Sequence, residues 1–456
     1  MSMKSCSNLP FNHLPFGIYL IILIFNIMRK LALFLTAFMV SCTACQAQEQ
    51  QKVRPMDNEA IQFALSMGMG WNLGNQMDAH YNGCSYEEGW GNKAATQQTF
   101  NGVAKAGYKT VRIPVTWMGH IGNAPTYTIE GGWMDRVAEL VDMAHKAGLK
   151  VIINIHHDGY GAADTPSKGY HWIDLPGAAA DEEKNQRIKQ ELTMVWLQIA
   201  KRFVNYGDWL IFETLNEIQD GGWGGGANRT DGGAQYRVLN EWNQVCVNAI
   251  RAAGGMNETR YIGVPGYVTN PDLTVEHLVL PEDIVENRLM VAVHSYDPWD
   301  FAGSAQYQEW GHTGVDVVPG SDENAYTGML NRLFNMYVRR GIPVYFGEFG
   351  AVRRASATDE PFRLYYFRYV CKAMRDRRIP ALYWDNGNSK GGNDGFGVID
   401  HHTGKYIGSG EQTVRAMVDS WENNDSSYTL LTVYNSAPQS TRTKAEDKNN
   451  NNINHY

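Results

Sequence analysis

Trp209-Leu-Ile-Phe-Glu-Thr-Leu-Asn-Glu217 and Pro343-Val-Tyr-Phe-Gly-Glu348-Phe-Gly350 are the two stretches on which the reading of the fold turns. Each is a short apolar run of the kind that forms a strand buried on both faces of a parallel sheet. Each also delivers a glutamate near its end. A buried parallel strand with a carboxylate at its C-terminal tip places that group at the mouth of a barrel, where sites of this architecture are assembled from strand ends. The two glutamates are far apart in the chain, so only a fold that gathers distant strand ends brings them together.

Outward from these stretches, strand-like apolar runs alternate with helix-length amphipathic ones, the pattern of a parallel α/β fold. Strands are expected at 67–75, 110–115, 151–156, 210–217, 260–266, 290–296, 344–348 and 382–386. Helices are expected between them, among others at 134–146, with Val137, Leu140, Val141 and Ala144 at helical spacing and Gly148 as a stop. A second, at 182–203, carries Ile188, Leu192, Val195 and Ile199 on one face. Eight strands in this order predict a (β/α)8 TIM barrel, a single catalytic domain over residues 55–422. A doubly wound open sheet is the alternative, but no glycine-rich phosphate fingerprint follows the first strand.

The 456 residues, 43% hydrophobic and 19% charged, suffice for one large core. A net charge of −8 lacks the basic face of a nucleic-acid binder and suits a neutral polymer as partner. The 13 Trp and 24 Tyr offer flat apolar faces that match the C–H face of a sugar ring, although aromatics serve core packing equally well. At the N-terminus, Arg29-Lys30, the apolar run Leu31 to Val40 and the small residues around Ser41 to Ala47 read as an export signal starting at Met28. Residues 1–47 are therefore expected to be a leader, and the product secreted or periplasmic. Met39-Val40-Ser41-Cys42 also resembles a lipoprotein signal, which makes a lipid anchor on Cys42 or Cys45 the alternative. From residue 423 the composition shifts to Asn, Ser, Thr and Lys, and 423–456 is expected to be a disordered tail.

Beyond the leader stand Cys84, Cys246 and Cys371, an odd set at wide spacing that makes neither a disulfide framework nor a zinc cluster. Neither His156-His157-Asp158 nor His401-His402 has metal-ligand spacing, so no metal and no cofactor is expected. Asp385-Asn386-Gly387-Asn388 is a weak calcium-like cluster and reads more simply as the loop after the eighth strand. The segment from Asp220 to Gly233 holds seven glycines around Trp223 and is expected to be a mobile loop bordering Glu217. Two facing carboxylates can divide proton transfer and nucleophilic attack between them, which is the equipment of retaining glycoside hydrolysis.

An ordered set of short motifs then falls on successive strand ends: Gly70-Trp-Asn-Leu-Gly-Asn75, Arg112-Ile-Pro-Val115, Asn154-Ile-His156-His157, Leu215-Asn216-Glu217, His294-Ser-Tyr296, Gly347-Glu348-Phe-Gly350 and Tyr383-Trp384. In this the chain resembles glycoside hydrolase family 5, the cellulase family of (β/α)8 barrels. The first motif and His294-Ser-Tyr-Asp-Pro298-Trp-Asp-Phe301 further resemble its endoglucanase and xyloglucanase branch. The resemblance implies Glu348 as nucleophile and Glu217 as acid/base. It implies Asn216 at the sugar 2-OH, Arg112 and Tyr296 as hydrogen-bond donors to Glu348, His156 and His294 as lining residues, and Trp384 as the platform under the sugar.

Some residues read differently. Glu213 shares the parity of Glu217 and is expected to point into the barrel and pair with a buried donor, without a catalytic part. His157, of opposite parity to His156, is expected to be structural. Trp71, Trp90, Trp117, Trp223, Trp299 and Trp310 are candidate subsite walls. Ile218-Gln219 follows Glu217 where many relatives have proline, which bears on the local loop. The expected activity is a secreted, monomeric, retaining endo-β-1,4-glucanase acting on cellulose, mixed-linkage glucan or xyloglucan. An endo-β-1,4-mannanase is the first alternative. A non-catalytic carbohydrate-binding barrel is the second, and its mark, loss of a catalytic carboxylate, is missing here.

Overall fold

The computed structural model describes residues 56–443 except 160–169, 389 and 391–393. Residues 1–47, expected to be a leader, lie outside the described residues. Among the described residues no helix is long and apolar enough to cross a membrane. Helix α1 (Glu59–Ser66) leads into β1 (Met69–Leu73), and strand and helix then alternate. The series runs α2 (Gln97–Lys105), β2 (Thr110–Ile113), α3 (Gly131–Lys146), β3 (Lys150–Asn154), α4 (Glu182–Arg202), β4 (Leu210–Glu213), α5 (Ala234–Ala252) and β5 (Ile262–Pro265). It continues through α6 (Pro271–His277), β6 (Leu289–Ser295), α7 (Glu323–Met336), β7 (Val344–Phe349), α8 (Glu360–Asp376), β8 (Ala381–Asp385) and α9 (Gly410–Glu422). All eight strands pair in parallel, each with its neighbours in sequence, and β1 closes the ring on β8. The expected (β/α)8 barrel is the fold.

Alternation along the strands builds two separate cores. Ile152, Ile211, Met290, Ala292, Tyr345 and Leu382 fill the barrel interior, and Ala60, Ala64 and Met67 plug its lower end. A much larger apolar layer lies between strands and helices. Helix α4 shows how sequence makes that layer: Asp181 caps it by accepting from the N–H groups of Glu183 and Lys184, and Ile188, Leu192, Val195 and Ile199 face the sheet. Each such fully buried aliphatic side chain stabilises the fold by about 1.5–3 kcal/mol, and loss of the Asp181 cap costs about 1 kcal/mol.

Register sets the upper, polar layer of the barrel. Asn72 pairs with Arg112 and with Trp384 across neighbouring strands, Asn154 with Glu213, and His294 with Glu348 after a bulge in the β6–β7 pairing. Two expectations need correction. Strand β4 ends at Glu213, so Glu217 sits in the following loop and not on a strand tip. The expected disordered tail is ordered as far as residue 443. There, a short helix Leu430–Tyr434 buries Val433, Tyr434 stacks on His312, and Arg442 binds Asp359 at 2.8 Å and Asp316 at 3.1 Å. Polar composition hid these few anchors, which act through partners distant in sequence. The remainder of the tail, 444–456, lies outside the described residues.

Candidate active site

At the top of the barrel the chemistry is organised around Arg112, which is fully buried. All five of its N–H donors are used: Nε and one Nη2 proton on Glu213, the other Nη2 proton on Asn216 Oδ1 at 2.8 Å, and the Nη1 protons on Asn72 Oδ1 at 3.0 Å and Glu348 Oε1 at 2.8 Å. Burial works against the guanidinium charge, but Glu213 and Glu348 outweigh it and hold its pKa above the ordinary value. Glu213 also accepts from Asn154 Nδ2 at 2.9 Å and from the Tyr345 hydroxyl at 2.6 Å. Although burial raises its pKa, the charge and hydrogen bonds of Arg112, with His294 and the Tyr345 hydroxyl, bring it below the ordinary carboxyl value. Tyr345 reaches Glu213 because Gly263 leaves room: a Cβ there would lie 2.1 Å from the Tyr345 hydroxyl. Glu213 is thus the buried partner of Arg112, as its parity suggested.

Above this layer Glu348 and Glu217 face one another. Glu348, on β7, accepts from Arg112 through Oε1 and from the Tyr296 hydroxyl through Oε2, both at 2.8 Å. Glu217 has no cationic contact of that kind: His294 Nδ1 lies 2.8 Å from its Oε1, and the Thr269 hydroxyl donates at 3.5 Å. Burial pushes the Glu217 carboxyl up to about 7 and the His294 imidazole down to about 4, so His294 is neutral. Its Nδ1 also lies 3.7 Å from Glu348 Oε1, and an oxygen of Glu217 and an oxygen of Glu348 are within 4.8 Å of each other. Thr269 and Val268, beside Glu217, hold left-handed backbone at φ 53° and 48°. β-Branched residues rarely adopt that conformation, and strain of this kind concentrates at functional sites.

Both glutamates open into one cavity of about 800 Å³, lined also by His156, His157, His294, Tyr296, Trp223, Trp299, Trp384 and Phe396. Arg112 and Asn216 stand behind this surface. The Asn216 Oδ1 is held by Arg112, and its Nδ2 lies 3.4 Å from His156 Nε2. Trp384 lies flat, parallel to His156 within 4°, and Gly74 makes room for its ring. His157 is no purely internal residue, because it reaches the cavity and packs on Trp90 and His80. Of the six further tryptophans, Trp71, Trp117 and Trp310 are core, whereas Trp90, Trp223 and Trp299 are 42%, 53% and 59% exposed.

Clusters of possible metal donors are engaged by their own neighbours. Donor atoms of Asp78, His156 and His157 lie within 4.8 Å of one another, but the Asp78 oxygens accept from the Asn75 and Gln76 N–H groups, and both His156 nitrogens face side-chain amides. The Asp385 carboxylate is committed to Trp71 Nε1 and to the N–H groups of Gly387, Val398 and Ile399. Sequence reading did not single out Asn72, Asn154, Tyr345 or Thr269. The first two stand inside motifs already quoted, whereas Tyr345 has the opposite parity to Glu348 and both turn inward only because the β6–β7 pairing shifts register between them. Phe396 and Thr269 carry no local signal, because loops bring them to the site.

A closed parallel barrel whose mouth holds two carboxylates in unlike environments, over an aromatic floor, defines a glycoside-hydrolysing enzyme. The profile of Cellulase (glycosyl hydrolase family 5) matches residues 74–390. With a TM-score of 0.84 and 82% identity, the chain resembles a native Bacteroidetes-affiliated GH5 cellulase linked with a polysaccharide utilization locus, over 85% of this chain and 100% of that one. A GH5-4 broad specificity endoglucanase from Bacteroides salanitronis is 49% identical with a TM-score of 0.77, over 82% and 98% of the two chains. Endoglucanase A of Paenibacillus barcinonensis is 33% identical over 392 residues, 82% of this chain and 94% of that protein. The chain belongs to glycosyl hydrolase family 5, the cellulase family, and is a glycosyl hydrolase of the endoglucanase type.

Proposed function

We propose that the protein is a secreted, retaining endo-β-1,4-glucanase in which Glu348 is the nucleophile and Glu217 the acid/base. The observation that carries this reading is the spacing of the two carboxylates. An oxygen of each within 4.8 Å of the other supports the close ~5–5.5 Å placement of retaining sites over the ~6.5–9.5 Å of inverting ones. Environment divides the roles. A carboxyl raised to about 7 by burial keeps its proton near neutrality, as an acid must, whereas the donors Arg112 and Tyr296 stabilise negative charge on Glu348.

In the first step a Glu348 oxygen attacks the anomeric carbon and the bond to the departing sugar breaks. Glu217 gives its proton to the glycosidic oxygen of the departing sugar, so an alcohol leaves and a glycosyl ester remains on Glu348. In the second step Glu217, now a carboxylate, takes a proton from water as the water oxygen attacks the same carbon. The ester bond breaks, Glu348 is freed and the configuration is retained. Asn216, beside the acid, is assigned to the sugar 2-OH through its Nδ2, and Trp384 is the platform for the ring. The open cleft with exposed tryptophans suits an internal stretch of a β-glucan chain. Proton NMR of the first product, before mutarotation, is expected to show the β-anomer. The α-anomer first, or wild-type turnover in Glu348→Gln, would overturn the assignment, since loss of the nucleophile should all but abolish turnover, while loss of the acid/base at Glu217 should lower kcat by about 10²–10⁴-fold. A panel of cellulose, mixed-linkage glucan, xyloglucan and mannan, followed by viscosity and reducing ends, tests the endo mode and the preference.

A further inference from the structure

Around the barrel mouth the functional loops form two flanks. Glu348 on β7 and Trp384 on β8 stand on one, and the loops after β4, β5 and β6 form the other, with Glu217, Val268 to Pro271 and Trp299. The acid must reach the oxygen that leaves the anomeric carbon, so the departing part of the chain extends over the Glu217 flank. Trp223 stands there, six residues after Glu217, lining the cavity with 53% of its surface exposed. With Trp299 it presents aromatic surface inside the cavity, and exposed apolar surface within a cleft marks a place where a ligand packs.

Its loop is glycine-rich, yet it is bracketed. One carboxylate oxygen of Asp220 accepts from the Gly222 N–H at 2.9 Å, and the other from the Asn228 N–H at 3.0 Å. The Asp220 N–H itself donates to the Tyr267 hydroxyl, which donates onward to Gln235. The buried Gln219 accepts the Trp223 N–H at 2.7 Å, and Asn228 Nδ2 and Arg229 Nε both donate to the Gly224 carbonyl. The glycines allow the bracket to close: a Cβ on Gly226 would lie 2.5 Å from an Asp220 oxygen, and one on Gly222 2.5 Å from the Gly226 Cα. Trp223 itself sits at φ 50°, left-handed backbone that a bulky residue adopts only when its surroundings impose it. Seven glycines suggested mobility; the hydrogen bonds describe a loop folded around one carboxylate.

We propose that Asp220 is a positioning residue that holds Trp223 as an aromatic wall for the leaving-group side of the substrate. This rests on Glu217 as the acid. The test uses the full chain and two substrates that share the glycone side: cellohexaose, and dinitrophenyl β-cellobioside, whose leaving group needs neither an acid nor sugar contacts. Trp223→Ala is expected to lower kcat/KM on cellohexaose about tenfold more than on the aryl glycoside, the loss of one ring–sugar stack, and Trp223→Phe to recover most of it. Asp220→Ala and Asp220→Asn should show the same split in weaker form. The double variant Asp220→Ala/Trp223→Ala should be no worse than Trp223→Ala alone, because Asp220 acts through that ring.

Equal losses on both substrates, no loss on cellohexaose, or additive losses in the double variant would overturn the proposal. If Asp220→Ala fails to fold, Asp220→Asn and the Trp223 pair still decide it. Glu217→Ala separates the two readings: it should fall far more on cellohexaose than on the aryl glycoside. Equal loss in that variant removes the acid role, whereas the expected split there, without one at Trp223, removes only the wall.

Discussion

Glu213→Gln should leave the chemistry largely in place and weaken the fold, the reverse of what removing Glu348 does. Glu213 is 1% exposed and engages the Nε and Nη2 protons of Arg112, Asn154 Nδ2 and the Tyr345 hydroxyl. Replacing one carboxylate oxygen by an amide NH2 removes the charge that compensates a fully buried guanidinium and sets a donor against other donors. Breaking one side of a buried pair costs about 3–5 kcal/mol, which is a drop of several degrees in Tm for a domain of this size. Because the Arg112 Nη1 contact with Glu348 does not pass through Glu213, kcat should fall much less than in Glu348→Gln. The linkage has a definite sign. Glu213 is held below its ordinary 4.5 in the folded state, so its contribution is complete above pH 4.5 and is lost as pH falls through the lowered value. Urea unfolding of wild type and variant across pH 3–8 should therefore show a gap that is full near neutrality and closes on acidification. A variant within about 1 kcal/mol of wild type at pH 7, or one as inactive as Glu348→Gln while equally stable, would refute the separation of structural and catalytic carboxylates.

With Glu217 at about 7, kcat/KM on cello-oligosaccharides should decline as pH rises through that value, because the proton donor is lost. In Glu217→Gln this alkaline limb should disappear from the residual activity on an aryl glycoside. Trp384→Ala should raise KM and lower kcat together, since the ring meets the sugar in ground and transition states, and unchanged kinetics in a folded variant would assign Trp384 to packing. Activity should survive exhaustive chelation followed by dialysis; loss restored by one stoichiometric divalent ion would implicate the Asp78, His156 and His157 donors.

Much of the fold was legible locally because it depends on periodicity. Apolar runs at strand length, alternating with faces such as Ile188, Leu192, Val195 and Ile199, determine a parallel barrel before any contact is known. Parity likewise turned Glu213 inward. The residues quoted in the motifs lie together at the barrel mouth, several of them on Arg112. Where Glu217 sits could not be read this way: its run looks continuous with β4, but the strand stops at Glu213 and the carboxyl is placed by a loop that packs on Val268 and Thr269. The order of residues 423–443 was hidden for the same reason, since Arg442 finds Asp359 and Asp316 only in three dimensions. The six tryptophans read as candidate subsite walls divided into three core and three surface residues by packing that no window of sequence contains. Sequence determined which carboxylates exist and which strands carry them toward the mouth. Tertiary structure alone decided their separation and their burial, because desolvation and distance are properties of the assembled neighbourhood. It is that neighbourhood which raises Glu217 to about 7 and surrounds Glu348 with donors.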